Sequence, residues 1–190
     1  MLGSGKIALM GLSNFTLIPV LKNDEWSYEL EADKRFELPG VKKMSIEQET
    51  SRETVWADNK VYLDLHEYLG SKVTISIAGV NLELLEKLGF GEFDEEGVFD
   101  INPIGSRQEF SLAFACKQAN DEYRMHRMHV FTINEIKESN HSSLGDKSGI
   151  AYYEIEGEFV PRQVDRKTAQ VRDGKDLDWL TSGFKNVSIL

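Results

Sequence analysis

Val73-Thr-Ile-Ser-Ile-Ala-Gly-Val-Asn-Leu-Glu-Leu-Leu-Glu-Lys-Leu-Gly89 holds both hydrophobic periods that this chain uses. Val73, Ile75 and Ile77 alternate with Thr74, Ser76 and Ala78, which sets one side of an extended strand against a core and the other towards water. From Asn81 the spacing changes. Leu82, Leu85 and Leu88 recur every three residues with Leu84 beside them, while Glu83, Glu86 and Lys87 face out. Asn81 is placed to cap the first turn and Gly89 to end the last. No other segment makes a convincing helix, so the fold has to be built from strands.

Working outward, the chain keeps the two-residue period. Leu12 to Leu21 is apolar and β-prone, Lys22-Asn-Asp-Glu25 is turn chemistry, and Trp26, Tyr28 and Leu30 alternate with Ser27 and Glu29, which predicts a hairpin. Pro19 has no amide proton to donate, so the first strand is expected to be an edge or to bulge there. After the turn at Leu38-Pro-Gly40, Met44 and Ile46 alternate with Lys43, Ser45 and Glu47. The polar stretch 47–60 reads as a loop or a protruding hairpin, and Val61 to Leu65 resumes β character. Residues 90–106, rich in glycine and acid, read as a long loop.

Phe110, Leu112, Phe114 and Cys116 then line one face of a strand whose other face carries Ser111, Ala113 and Ala115. A turn at Gln118-Ala-Asn-Asp121 leads into a strand from Tyr123 to Asn134, a second hairpin. Residues 138–149 read as a polar loop. From Ile150 to Val160 Tyr153, Ile155 and Phe159 alternate with Glu154, Glu156 and Glu158, and Pro161 closes the strand. A short helical turn near Asp176 to Leu180 and a last strand at 187–190 complete the reading. It predicts a mainly β protein, an antiparallel β-sandwich or barrel with one flanking α-helix.

The 190 residues suit one domain and can bury enough surface to fold without a disulfide or metal. The single cysteine, Cys116, excludes an internal disulfide. With 22 Lys and Arg against 32 Asp and Glu the net charge is −10, which repels nucleic acid overall. Met1 to Met10 lacks the apolar core of a secretory signal, so synthesis and retention in the cytosol are expected.

Nothing in the sequence builds a catalytic centre. Gly89-Phe-Gly91 follows a helix instead of preceding one, and Asp94-Glu-Glu-Gly97 lacks the ligand spacing of a calcium loop. His126 and His129 stand three apart on a strand and so face opposite ways. Cys116 lies on an apolar strand face and reads as core. No enzyme, cofactor or metal site is expected. Arg124, His126 and Arg127 with Tyr123 form a basic cluster expected to pair with acids on a neighbouring strand or subunit.

Glu154, Glu156 and Glu158 form the sharpest charge pattern. They stand about 7 Å apart on one sheet face, and in water each neighbouring repulsion is only about 0.6 kcal/mol. The face is either an ordinary exposed surface or a negatively charged wall around a water-filled space.

Met10-Gly-Leu-Ser-Asn-Phe-Thr-Leu-Ile-Pro19, Leu38-Pro-Gly-Val-Lys-Lys-Met-Ser-Ile46 and Glu49-Thr-Ser-Arg-Glu-Thr-Val-Trp-Ala-Asp-Asn-Lys60 resemble the major tail proteins of long-tailed, non-contractile phages and prophages of Gram-positive bacteria. The chain length, the step from Ser76 to Leu85 and the strand from Tyr152 to Phe159 fit the same family. The resemblance thus covers residues 8–165. It implies a β-sandwich or barrel with a flanking helix, a tail tube protein of the virion made in the host cytoplasm, and no catalysis or cofactor. Copies would form six-membered rings that stack into the conduit for genome ejection. The implied partners are further copies, the tape measure, tail terminator and distal tail proteins, and DNA that passes without specific binding; no membrane is involved.

On this reading residues 1–7 are a flexible extension, 8–165 the tail tube domain, and 166–190 a C-terminal segment involved in assembly. Segment 47–60, with Glu47, Glu49, Glu53, Trp56 and Asp58, is the candidate arm reaching another subunit with Trp56 as its anchor; the other reading is a mobile loop with Trp56 tucked onto its own core. Glu154, Glu156 and Glu158 are the candidate lumen-facing acids, which would keep DNA centred by repulsion over about a Debye length. The alternative function is a β-sandwich module of a baseplate or surface protein that binds carbohydrate or a protein partner.

Overall fold

The computed structural model describes residues 9–57, 60–102, 108–139, 152–182 and 185–188. Among them run β1 (Leu9–Asn23), β2 (Ser27–Leu30), β3 (Phe36–Glu37), β4 (Val41–Ala57), β5 (Lys60–Ile77), α1 (Leu82–Lys87), β6 (Gly91–Phe93), β7 (Phe99–Ile101), β8 (Glu109–Gln118), β9 (Tyr123–Ser139), β10 (Tyr152–Val160), β11 (Ala169–Gly174), α2 (Trp179–Ser182) and β12 (Val187–Ser188). The expected extension 1–7 and most of the expected loop 138–149 lie outside the described residues.

Pairing is antiparallel, in the order β12-β2-β1-β8-β9-β10-β5-β4, with β3 on β1 and β11 on β9. β9 is the branch point. Its first half, Tyr123–Met128, pairs with β11, and its second half, Val130–Ser139, pairs with β10. The sheet curls, so that Phe15 and Leu17 of β1 share one core with Val73, Ile75 and Ile77 of β5, Phe110, Leu112 and Phe114 of β8, Phe131 of β9, and Ile155 and Phe159 of β10. Burying each such side chain is worth about 1.5–3 kcal/mol. The result is an open antiparallel sandwich with α1 packed on it through Leu84 and Leu88.

The helix begins and ends as its residues dictate. Asn81 Oδ1 accepts from the Leu84 amide at 2.9 Å, and Gly89 adopts a φ of 82° just beyond the last turn. Cys116 is a buried core thiol whose pKa is raised by that burial.

Of the two outcomes expected at Pro19, an edge or a bulge, the structure has the second: β1 lies between β2 and β8, the Pro19 carbonyl accepts from the Glu31 amide at 2.9 Å, and the register shifts just after it, between Val20 and Lys22. One expectation is corrected. Within the expected loop 90–106, β6 and β7 form a hairpin closed by Asp94 Oδ1, which accepts from the Glu96 and Val98 amides at 2.9 and 2.7 Å. The acidic run is therefore a tight turn. Each of its strands is only three residues long, too short to display a period.

Candidate functional site

The polar segment after Ile46 does not leave the sheet as a loop. β4 and β5 stay paired from Val41 and Ile77 to Ala57 and Lys60. β10, however, covers β5 only from Ser71 to Ile77. Beyond that point β4 and β5 have only each other among the described residues, and they continue as a two-stranded ribbon about 26 Å long at ~3.3 Å per residue. β4 also has no strand paired to its outer edge among the described residues. An isolated two-stranded ribbon is marginally stable, and a long bare edge is a template for another strand.

The ribbon's root is defined by backbone geometry. The register shifts between Glu49 and Thr50, opposite Gly70, whose φ of 148° is one that side-chain-bearing residues rarely adopt. A Cβ at Gly70 would lie 3.1 Å from the Phe159 carbonyl oxygen. A bulge bends the strand that carries it and raises the local twist, so the root is where the ribbon can change direction. Two side-chain contacts pin the root: Lys72 Nζ to Glu49 Oε1 at 2.6 Å, and the Tyr68 hydroxyl to Ser71 Oγ at 2.6 Å.

Of the candidate arm residues, Glu47 and Glu49 sit at this root, on the body side of the shift. Glu53 and Trp56 lie in the ribbon with their backbones opposite Leu65 and Val61. Their side chains, and the whole of Asp58, lie outside what the structure describes, so the placement of Trp56 against its own core or against another subunit stays a proposal.

Glu154, Glu156 and Glu158 do share a face of β10, opposite Ser76, Thr74 and Lys72 on one side and Lys137, Glu135 and Thr132 on the other. The register of β4 brings Lys43, Ser45 and Glu47 onto the same face. It carries six carboxylates, Glu47, Glu49, Glu135, Glu154, Glu156 and Glu158, and three ammonium groups, Lys43, Lys72 and Lys137. Lys137 Nζ reaches Glu156 Oε1 at 2.7 Å and Glu135 Oε2 at 3.2 Å, and Asn134 donates to Glu158 Oε1 at 2.9 Å. Hydrogen bonds to Glu156 and Glu135 raise the Lys137 pKa, and one to Glu49 raises that of Lys72.

The face is thus negative in sum but interleaved with cations, not a uniform acidic wall. Exposed pairs of this kind stabilise little; their effect is on the field above the sheet. Sequence reading missed Lys72 and Lys137 because they become neighbours of the glutamates only through strand register.

The basic cluster expected on β9 is divided among three partners. Arg124 holds Asp173 of β11 through two hydrogen bonds of 2.9 Å. His126 stacks on Phe114 with ring centroids 4.7 Å apart. Arg127 turns inward, over the Trp179 ring at 3.8 Å. Asp173 and Trp179 lie in the segment 166–190, whose described elements are docked in the single chain: β11 pairs with β9, Leu180 of α2 is buried on Ala113, Ala115 and Met125, and β12 pairs with β2. Among the described residues no helix is long and apolar enough to cross a membrane.

No protein-family model and no curated protein matches the sequence. Solved structures that resemble the fold loosely include the following two. A chain in the 6-fold symmetrised cryo-EM structure of the anti-feeding prophage baseplate aligns with 93% of this chain and 100% of its own length, at a TM-score of 0.40 and 7% identity. A chain in the cryo-EM structure of the anti-feeding prophage tube-terminating cap aligns with 90% of this chain and 97% of its own length, at a TM-score of 0.43 and 9% identity.

Proposed function

We propose that this chain is a structural, non-catalytic protein of a phage tail whose copies join into rings that stack as a tube. One observation carries the reading: the β4–β5 ribbon leaves its own sheet without a second partner among the described residues, and β4 presents an outer edge that another chain can extend. A surface patch that binds a different patch on the next copy generates a ring when the rotation closes, and a second contact of the same head-to-tail kind stacks the rings. The resemblance of residues 8–165 to major tail proteins supports the same reading, with a six-membered ring and genome passage through its centre.

In such a ring the face bearing Glu154, Glu156 and Glu158 is the proposed lining of the channel. Its excess of carboxylates repels phosphate over about 8–10 Å at moderate salt, and its lysines leave the field uneven along the axis. DNA is then neither gripped nor adsorbed.

Negative-stain microscopy and sedimentation of the purified chain at rising concentration test the reading. Rings or filaments are expected, and a variant in which residues 51–68 are replaced by Asn-Gly is expected to keep the body and lose assembly. A wild-type chain that stays monomeric at millimolar concentration overturns it, and favours a discrete binding module of a baseplate or surface protein. A ring map with the channel lined by Lys and Arg would remove the proposed role of the acidic face alone.

A further inference from the structure

The β6–β7 hairpin stands outside the main sheet. Its two strands pair only with each other, three residues on each side, so both outer edges are without a strand partner among the described residues. A two-stranded ribbon of that length is marginal by itself.

Its register sorts the side chains by face. Gly91 lies opposite Ile101, Glu92 opposite Asp100 and Phe93 opposite Phe99, so Phe93, Phe99 and Ile101 share one face and the two carboxylates share the other. On the apolar face Phe93 meets Phe99 edge-on at 5.0 Å, and the Phe99 ring lies across Gly91, where a Cβ would collide with it. Ile101 is 71% exposed, and none of the three joins a buried cluster. The acidic face has a different defect. Like charges directly opposite one another on a sheet are destabilising, and neither the Glu92 nor the Asp100 side chain has a hydrogen bond or ion pair among the described residues. From Gly91 to Ile101 there are five Asp and Glu and no Lys or Arg.

β11 offers the complement. It pairs with β9 on one side and has no strand on the other among the described residues. Val171, 55% exposed, and Arg172, also exposed, follow each other along it and so lie on opposite faces. Residues 162–175 carry five Lys and Arg against two Asp, in a chain whose net charge is −10. Both aspartates are engaged: Arg162 binds Asp165, and Arg124 binds Asp173. Arg166, Arg172 and Lys175 are exposed and meet no carboxylate among the described residues.

When two strand edges meet, each extends the ladder of the other and their side chains align face with face. Matching the apolar sides lays Phe99 and Ile101 beside Val171, and the same two-residue period puts Glu92 and Asp100 on the side of Arg172. We propose that the β6–β7 hairpin of one copy adds to the free edge of β11 in another copy, held by main-chain hydrogen bonds, the Val171 contact and the pairing of Asp100 with Arg172. The inference rests on the assembly reading and names the second head-to-tail contact that stacked rings require. Hairpin and β11 are different surfaces, so every contact leaves one of each still open and the series continues. The negative sign of the hairpin excludes nucleic acid as its occupant.

Sedimentation of the full chain at rising concentration, with charge-exchange variants, tests the contact. Arg172→Glu and Asp100→Arg each set like charges against one another, and each is expected to raise the concentration at which copies associate roughly tenfold. The double variant restores opposite charges and is expected to recover most of that loss. Asp100→Arg also removes the repulsion from Glu92, so its monomer should melt no lower than wild type, which separates a lost contact from a damaged fold. If the wild-type chain associates and both single variants associate equally well, the contact is overturned and the assembly reading stands. A loss in the single variants that the double variant does not recover overturns the contact too. A wild-type chain that stays monomeric overturns both.

Discussion

Gly157 on β10 lies flush against the ring of Phe131 on β9: a methyl group in its place would come within 2.7 Å of Phe131 Cε2 and closer still to the Thr132 carbonyl oxygen. Phe131 is fully buried and packs on Phe159 at 5.1 Å, so neither ring nor backbone has anywhere to go. Gly157→Ala is expected to destabilise the chain by about 1–3 kcal/mol, the cost of overpacking a core. Urea unfolding gives the value; an unchanged midpoint would mean that β9 and β10 can separate without cost.

Gly70 makes a different prediction, because the constraint there is chiefly in its backbone. With φ at 148° and the Phe159 carbonyl oxygen 3.1 Å from where an alanine methyl would sit, Gly70→Ala must either strain the ribbon's root or straighten it. A loss of about 1–3 kcal/mol is expected. Amide exchange should show the faster opening concentrated in residues near the root; uniform exchange across the body would argue that the root is soft.

The Tyr28 hydroxyl donates to the His129 carbonyl across a fully buried contact. Tyr28→Phe keeps the ring and its packing on Val20, Val130 and Val164 but leaves that acceptor open. A cost of about 1–3 kcal/mol is expected, read by thermal or denaturant unfolding. A variant as stable as wild type would show that the carbonyl finds another donor.

Acid should weaken the fold through His129. Its pKa falls from 6.5 in the unfolded chain to about 4 in the fold, through burial and the neighbouring Arg162, opposed by Asp165 and reinforced by Lys167 and Arg127. Within that window the unfolded chain binds more protons, so stability present above 6.5 is lost as pH falls towards 4, by roughly 3 kcal/mol at 1.36 kcal/mol per unit. Asp165, held at about 2 chiefly by its hydrogen bonds to Arg162, remains ionised throughout. His129→Gln should flatten the profile between the two ends of the window, and a wild-type profile already flat there would refute the assignment.

The alternating strands and the capped helix were legible because each depends on neighbours in sequence. Val73 to Gly89 shows this: period, cap and terminator all lie within one short segment. What escaped reading depends on register or on distant chain. β8 looked like a strand with a weak, small-residue outer face, yet Ala113 and Ala115 are fully buried because Leu180 of α2 covers them from far along the chain. Lys72 and Lys137 tempered the acidic face only once β5, β10 and β9 were aligned. The like-charged pair on the β6–β7 hairpin was hidden for the same reason: Glu92 and Asp100 stood in plain view, but nothing local announces that register sets them opposite each other.

β9 passes without a break from the flank it shares with β11 to the flank it shares with β10. A load applied at the ribbon's root therefore runs through β5 and β10 into a strand whose other half grips the C-terminal layer. Neither layer can be torn off without shearing that one strand. Under tension the molecule should resist as a unit and give way in a single rupture.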